Sequence, residues 1–299
     1  MKFEDVFLKY LLNPEDYWPS THFRNAKKVR KFIEKGRVLR GESEKQYIYN
    51  ILNLTYLRKG IGPRHLYLVN AGGSGSHWLE AMLSLLPKFY NGGEIYLPKK
   101  IKEALSAMSQ DEAEMFLDSV YVLHSGGIYA DSLSAVISNS AHLANHESIS
   151  KYSRCKKIVL LLRNPVDIVM SRTFRKDDYK SDIAPSLSDK EYLESNCLYL
   201  ERFYNNLNFE SFDKVVRYEE FVASPKENLK SLADIISIDV SESHIVNAVF
   251  KTSRDEEAKV AKRGGSTMTN IYFSQKREQS WARDYIKERL SHVIAESGY

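Results

Sequence analysis

Two stretches of the chain hold residues whose types and spacing suit the binding of a phosphate. The first is Asn70-Ala71-Gly72-Gly73-Ser74-Gly75-Ser76-His77-Trp78, which follows the apolar run Leu66–Val69 and leads into Trp78–Leu83, a segment of helical composition. Glycines let backbone approach an anion closely, and successive N–H groups at a helix N-terminus point at it. Ser74 and Ser76 add hydroxyl donors. The plainer alternative is a strand-to-helix turn with a serine cap. The loop is not the nucleotide-triphosphatase motif, because no Lys follows its second glycine, and the dinucleotide fingerprint does not fit it either.

The second stretch is KKIVLLLRNPVDIVMSR, residues 156–172. A buried strand, Ile158–Leu162, delivers Arg163 at its C-terminal end, and Asn164-Pro165 opens a helix with Pro in the first turn. Ser171 follows Arg163 by eight residues, about two helical turns. An Arg at a strand tip offers a planar fork for a phosphate, and a hydroxyl on the next helix completes such a clamp. The competing reading pairs Arg163 with Asp167 in a structural salt bridge.

These residues need a scaffold of strands whose C-terminal ends converge. Beyond Leu66–Val69, short β-like runs stand at Tyr121–Leu123, Ala135–Ile137, Ile158–Leu162 and Lys214–Arg217. Helical patterns fill Phe23–Ile33, Tyr47–Leu57, Val166–Phe174, Asp189–Leu207 and Pro225–Ile236. Strands alternating with helices predict an α/β fold: one domain with a central, mainly parallel sheet flanked by helices and a P-loop-like phosphate-binding turn. Residues 1–60 form a helical N-terminal extension packed on the core, and residues 61–299 form the α/β domain. Lys176–Lys190 and Thr252–Ser280 read as long loops of the kind that act as lids.

Composition narrows the function classes. Of 299 residues, 43% are apolar and 12% aromatic, enough for a large core and against disorder. No apolar stretch approaches membrane-spanning length, and MKFEDVFLKYLL carries acidic residues within its apolar pattern, unlike a secretory signal. Only two cysteines, Cys155 and Cys197, are present, so a disulfide framework is not expected and a cytoplasmic location is. Neither sits at metal-ligand spacing from another ligand, and no metal is expected. The net charge of +4 suits an anionic small ligand better than nucleic acid.

The stretch at 156–172 resembles the donor 3′-phosphate motif of the sulfotransferase family, an Arg-Asn-Pro-x-Asp string with Ser eight residues past the Arg. Ser74-Gly75-Ser76-His77-Trp78 is similar to that family's Ser-Gly-Thr-Thr-Trp loop, which grips the 5′-phosphosulfate end. The resemblance spans roughly residues 65 to 285. It implies 3′-phosphoadenosine 5′-phosphosulfate (PAPS) as donor, the bisphosphate PAP as product, and no metal. It also implies Trp78 stacked on adenine, Tyr218 of Arg217-Tyr218-Glu219-Glu220 beside it, and Thr252 of Thr252-Ser253 at the adenine edge. Lys262-Arg263-Gly264 resembles the segment that wraps the 3′-phosphate.

The family's base, often a His about twenty residues before the clamp Arg, corresponds to His142 in Ser140-Ala141-His142-Leu143, with His146 and His124 as rivals. With His142, Ser74 and His77 are the expected participants in transfer, and Gly73, Gly75 and Ser76 join them at the donor. Three departures stand out. Gly73 replaces the family's Lys or Arg before Ser-Gly, so neutralisation of the leaving phosphate has to come from elsewhere, with Lys262, Arg263 and Arg254 as candidates. Arg254 replaces an aromatic, and the later Gly-x-x-Gly-x-Trp-Lys pattern degrades to Gly264–Thr269.

The expected activity is sulfuryl transfer to a hydroxyl or amine of a small-molecule or carbohydrate acceptor, by a monomer or homodimer. Two alternatives stay open: an atypical P-loop kinase, and a binding module for nucleotide or glycan that keeps the fold without chemistry.

Overall fold

In the computed structural model, residues 2–18, 23–125, 133–141, 143–174, 180, 184–253, 255–256 and 280–299 are described. Five strands, β1 (His65–Asn70), β2 (Phe89–Asn91), β3 (Val136–Ala141), β4 (Lys156–Leu162) and β5 (Lys214–Arg217), form one parallel sheet. Their order is β2-β3-β1-β4-β5, and the first strand in sequence is central. That placement requires burial on both faces, which is why β1 is buried at all six positions, HLYLVN. In the pairing of β4 with β5, Leu162 stands opposite Arg217.

Residue contacts group the chain into two compact units. The first comprises Met1–Leu68, Pro87–Ile158 and Asp234–Ile238. Its helices are α1 (Phe3–Leu12), α2 (Phe23–Arg40), α3 (Glu44–Arg58), α5 (Lys99–Ser106), α6 (Gln110–His124) and α7 (Leu143–Ser150). Helix α6 is the hub, packed by α1, α2 and α3, with the Phe7 and Phe116 rings edge to face at 6.0 Å. Each such fully buried side chain contributes about 1.5–3 kcal/mol.

Buried charges tie α6 to its neighbours. The Arg58 Nε donates to Asp118 Oδ2 at 3.0 Å and its Nη1 to the Ala135 carbonyl at 2.8 Å. His65 bridges Asp118 (Nε2 to Oδ1, 2.9 Å) and Ser153 (Nδ1 to Oγ, 2.7 Å). Ser153, His65 and Asp118 have the residue types of a hydrolase triad, yet none is more than 1% exposed and Arg58 shares the carboxylate. The string is structural. Burial alone would raise the Asp118 carboxyl, but Arg58, then His65 and Arg64, hold it well below the usual carboxylate range.

The second unit comprises Val69–Leu86, Val159–Ala233 and Asp239–Tyr299. It holds α4 (Ser76–Leu83), α8 (Pro165–Phe174), α9 (Asp189–Asn205), α10 (Tyr218–Ala223), α11 (Pro225–Ile235), α12 (Glu242–Lys251), α13 (Ser280–Arg289) and α14 (Ser291–Ser297). Helix α8 packs against α9 and α13, and α12 packs against α4. A capping box, Ser188 with Glu191, starts α9.

One expected strand is corrected. Tyr121–Leu123 is the last turn of α6, which Ser109 caps by accepting from the Glu112 N–H. A three-residue apolar run has no period of its own, and the helix buries it on all sides. Among the described residues no helix is long and apolar enough to cross a membrane, and no cluster of three or more His, Cys, Asp or Glu side chains could hold a metal ion.

Candidate donor site

The site's described residues all lie in the second unit. Strand β1 ends at Asn70, whose side chain accepts from the Gly72 N–H at 2.8 Å and starts the loop. Gly73 and Gly75 have φ of 81° and 93°, values that L side chains rarely adopt. Gly75 is further constrained, because a β-carbon there would stand 2.5 Å from the Tyr218 ring. Helix α4 then begins, with the Trp78 and Leu79 N–H groups donating to the Gly75 carbonyl at 3.1 and 3.2 Å. Ser74 is fully buried, and among the described residues its Oγ has no hydrogen-bond partner. A buried hydroxyl in that state beside a helix N-terminus is suited to bonding an anion.

Arg163 leaves the tip of β4 and meets this loop. Its Nη1 donates to the Gly73 carbonyl at 2.9 Å, and its guanidinium lies 4.6 Å from the centre of the Tyr218 ring. Asp167 pairs instead with Arg283 at 3.1 Å. Asn164 N–H donates to Glu219 Oε1 at 3.0 Å, and the Asn164 side chain accepts from Val166 N–H, fixing the turn into α8. Ser171 comes close to the loop: a β-carbon on Gly73 would lie 3.5 Å from its Oγ.

An aromatic wall completes the cluster. Trp78 meets Tyr218 and Phe221 edge to face, each at 5.8 Å, and its Nε1 donates to the Thr252 carbonyl at 3.0 Å. The Thr252 hydroxyl is turned back into α12, donating to the Ala248 carbonyl at 2.9 Å. The fold thus brings together Gly73, Ser74, Gly75, Ser76, Trp78, Arg163, Ser171, Tyr218 and Thr252, drawn from four separate stretches of sequence. His77 projects from the first turn of α4 with an exposed side chain.

A family profile described as "Sulfotransferase domain" matches residues 63–296. The chain belongs to that sulfotransferase family. Solved structures similar to this sulfotransferase include mouse sulfotransferase SULT7A1 complexed with PAP, at 16% identity over 81% of this chain and 93% of that one, TM-score 0.44. STF1 from Mycobacterium tuberculosis H37Rv is 12% identical over 97% and 92% of the two chains, TM-score 0.45. Retinol dehydratase in complex with androsterone and inactive cofactor PAP is 16% identical over 83% and 81%, TM-score 0.45. A search of curated protein sequences found no match.

For this sulfotransferase several expected residues lie outside the described ones: His142, Arg254, Lys262, Arg263, Gly264 and much of both expected lids. The two rival histidines lie in the first unit, His146 buried in its core and His124 half-buried. His146 is 6% exposed, with Nε2 3.3 Å from Ser150 Oγ, and burial, with Lys156 adding to it, pushes it down to about 4. Burial, reinforced by Lys28, pushes His124 down to about 3, where it stacks on Phe32 at 4.2 Å. Three residues that hold the loop or its flanking turns were not singled out from the sequence: Asn70, Glu219 and Arg172, whose Nη1 donates to the Ala71 carbonyl at 2.9 Å. Asn70 accepts from the N–H two residues on, at Gly72, the side-chain-to-backbone link of an Asx-turn. Glu219 and Arg172 act through tertiary contacts alone.

Proposed function

We propose that this sulfotransferase moves a sulfuryl group from PAPS to a hydroxyl or amine of a small-molecule or carbohydrate acceptor. The observation that carries the reading is the buried Ser74 hydroxyl, unpartnered among the described residues, set in a loop of positive-φ glycines at the N-terminus of α4 and close to Arg163 and Ser171. An anion supplies that hydroxyl with a partner, and the loop N–H groups and helix dipole favour it.

In this reading Ser74, Gly75 and Ser76 hold the 5′-phosphosulfate end, with His77 at its rim. Arg163 and Ser171 clamp the 3′-phosphate, joined by Lys262, Arg263 and Gly264. Trp78, Tyr218 and the Thr252 backbone form the adenine side. His142 removes the acceptor proton as the new sulfur–oxygen or sulfur–nitrogen bond forms and the bond to the donor phosphate breaks. Charge that develops on the leaving phosphate is met by backbone N–H groups and arginine. The protein works in the cytoplasm, as monomer or homodimer, without a metal.

A binding-only reading has one observation in its favour: position 73, beside the phosphate loop, carries no side chain. Incubation with sulfur-labelled PAPS and a panel of phenols, alcohols, amines and sugars decides between them. Label on an acceptor, unaffected by a chelator, is expected. Tight PAP binding with no transfer across the panel would favour the binding module, and magnesium-dependent ATP binding in place of PAP would favour a kinase.

A further inference from the structure

Arg172, the residue after Ser171 on α8, is fixed on three sides. Its Nη1 donates to the Ala71 carbonyl at 2.9 Å, its Nε donates to Asn196 Oδ1 at 2.9 Å, and its guanidinium lies 4.3 Å from the centre of the Tyr199 ring. Asn196 is itself held, donating from Nδ2 to the Tyr192 carbonyl at 3.0 Å and to Thr173 Oγ1 at 3.2 Å. A β-carbon on Gly73 would meet the Arg172 Cγ at 3.5 Å. The side chain therefore runs directly beside Gly73.

Two features of this arrangement go beyond packing. The three partners of Arg172 among the described residues are uncharged, so these contacts leave its positive charge uncompensated. In addition, the loop's carbonyls are taken in alternation, Ala71 by Arg172 and Gly73 by Arg163. In a trans peptide the C=O and the following N–H point in opposite directions. Drawing the Gly73 oxygen toward Arg163 turns the Ser74 N–H the other way, and the Ala71 oxygen, whose negative end would repel an anion, is held by Arg172. Ordering a long, flexible side chain this fully costs entropy, which packing alone would meet with an aliphatic residue.

We infer that Arg172 is a positioning residue for the 5′-phosphate end of the donor: it fixes the loop from the side and supplies the cation that position 73 lacks. The inference rests on the donor-site reading above. It assigns Arg172 to the 5′-phosphate specifically, so its effect differs between adenosine ligands that carry that group and those that do not.

The test is calorimetric titration of the full chain with PAP and with adenosine 3′-phosphate, using wild type, Arg172→Gln, Arg172→Lys and Asn196→Ala. Arg172→Gln weakens PAP binding about tenfold or more, as loss of a charge-assisted contact does, and adenosine 3′-phosphate binding by less than about threefold. Arg172→Lys, which keeps the charge, recovers most of the loss, and its PAP affinity retains a steeper salt dependence than that of Arg172→Gln. Asn196→Ala loosens the guanidinium and weakens PAP selectively, by less than Arg172→Gln. Equal weakening of both ligands in the variants, or a Lys variant as poor as the Gln variant, overturns the inference and leaves Arg172 a packing residue. Wild-type protein that does not bind PAP at all would sink the donor-site reading instead. Should Arg172→Gln not fold, the Lys and Asn196→Ala comparisons across the two ligands still decide the matter.

Discussion

Gly75 and Tyr218 are fitted to one another: the ring occupies the space a β-carbon on Gly75 would need, 2.5 Å from that position. The same ring lies under the Arg163 guanidinium, so the loop glycine, the aromatic and Arg163 form one unit. Gly75→Ala is expected to displace Tyr218 and with it Arg163, weakening PAP binding by about tenfold or more. Gly73→Ala meets nothing closer than 3.5 Å, so it costs about 1 kcal/mol of stability through its positive φ and changes affinity by less than about threefold. Paired titrations and thermal melts measure both. Equal effects of the two substitutions would show that Tyr218 yields freely.

His142 is proposed as the acceptor base. His142→Gln is expected to lower kcat by on the order of a hundredfold to ten-thousandfold while PAP affinity stays within about threefold. A variant that keeps wild-type turnover would remove His142 from the reaction.

Asp118 holds the core of the first unit through buried bonds to Arg58 and His65. Removing one partner of a buried ion pair strands the other, so Asp118→Ala should cost about 3–5 kcal/mol in urea unfolding. A loss under about 1 kcal/mol would mean that water reaches Arg58 in the folded protein.

His146 is held near 4, below its ordinary value, because burial disfavours its charged form and Lys156 adds to the effect. A depressed folded value means the unfolded chain binds the proton first as pH falls. The stability is complete above about pH 6.5 and declines as pH drops toward 4, by on the order of 2–3 kcal/mol. Burial lowers His65 in the same sense. Urea midpoints measured from pH 7.5 to 4.5 should fall in wild type and fall less steeply in His146→Gln. An unchanged slope in the variant would assign the pH dependence elsewhere.

What the chain discloses before folding follows from where its information is local. The turns from β1 into α4 and from β4 into α8 each follow a contiguous apolar run, so the placement of Ser74 and Arg163 just past strand ends and of Ser171 on the next helix is legible. Tyr121–Leu123 is not, because a buried helix turn and a buried strand share the same apolar composition. Strand β2, three residues long, is too short to carry a period. The roles of Arg172 and Glu219 depend on partners 101 and 55 residues away, and no local pattern announces such contacts. The resemblance puts Thr252 at the adenine edge; in the fold it reaches Trp78 by its carbonyl, which any residue would offer.

The central claim is that Arg163 and the Ser74 loop form a site for an adenosine bisphosphate, and titration of PAP into wild type and Arg163→Ala tests it most directly. Wild type should bind PAP without magnesium and gain several degrees in melting temperature at saturation. Arg163→Ala should weaken binding by about tenfold to a hundredfold, as expected for loss of a charged hydrogen-bonding group. Failure of wild type to bind PAP, or full affinity in the Ala variant, would contradict the account.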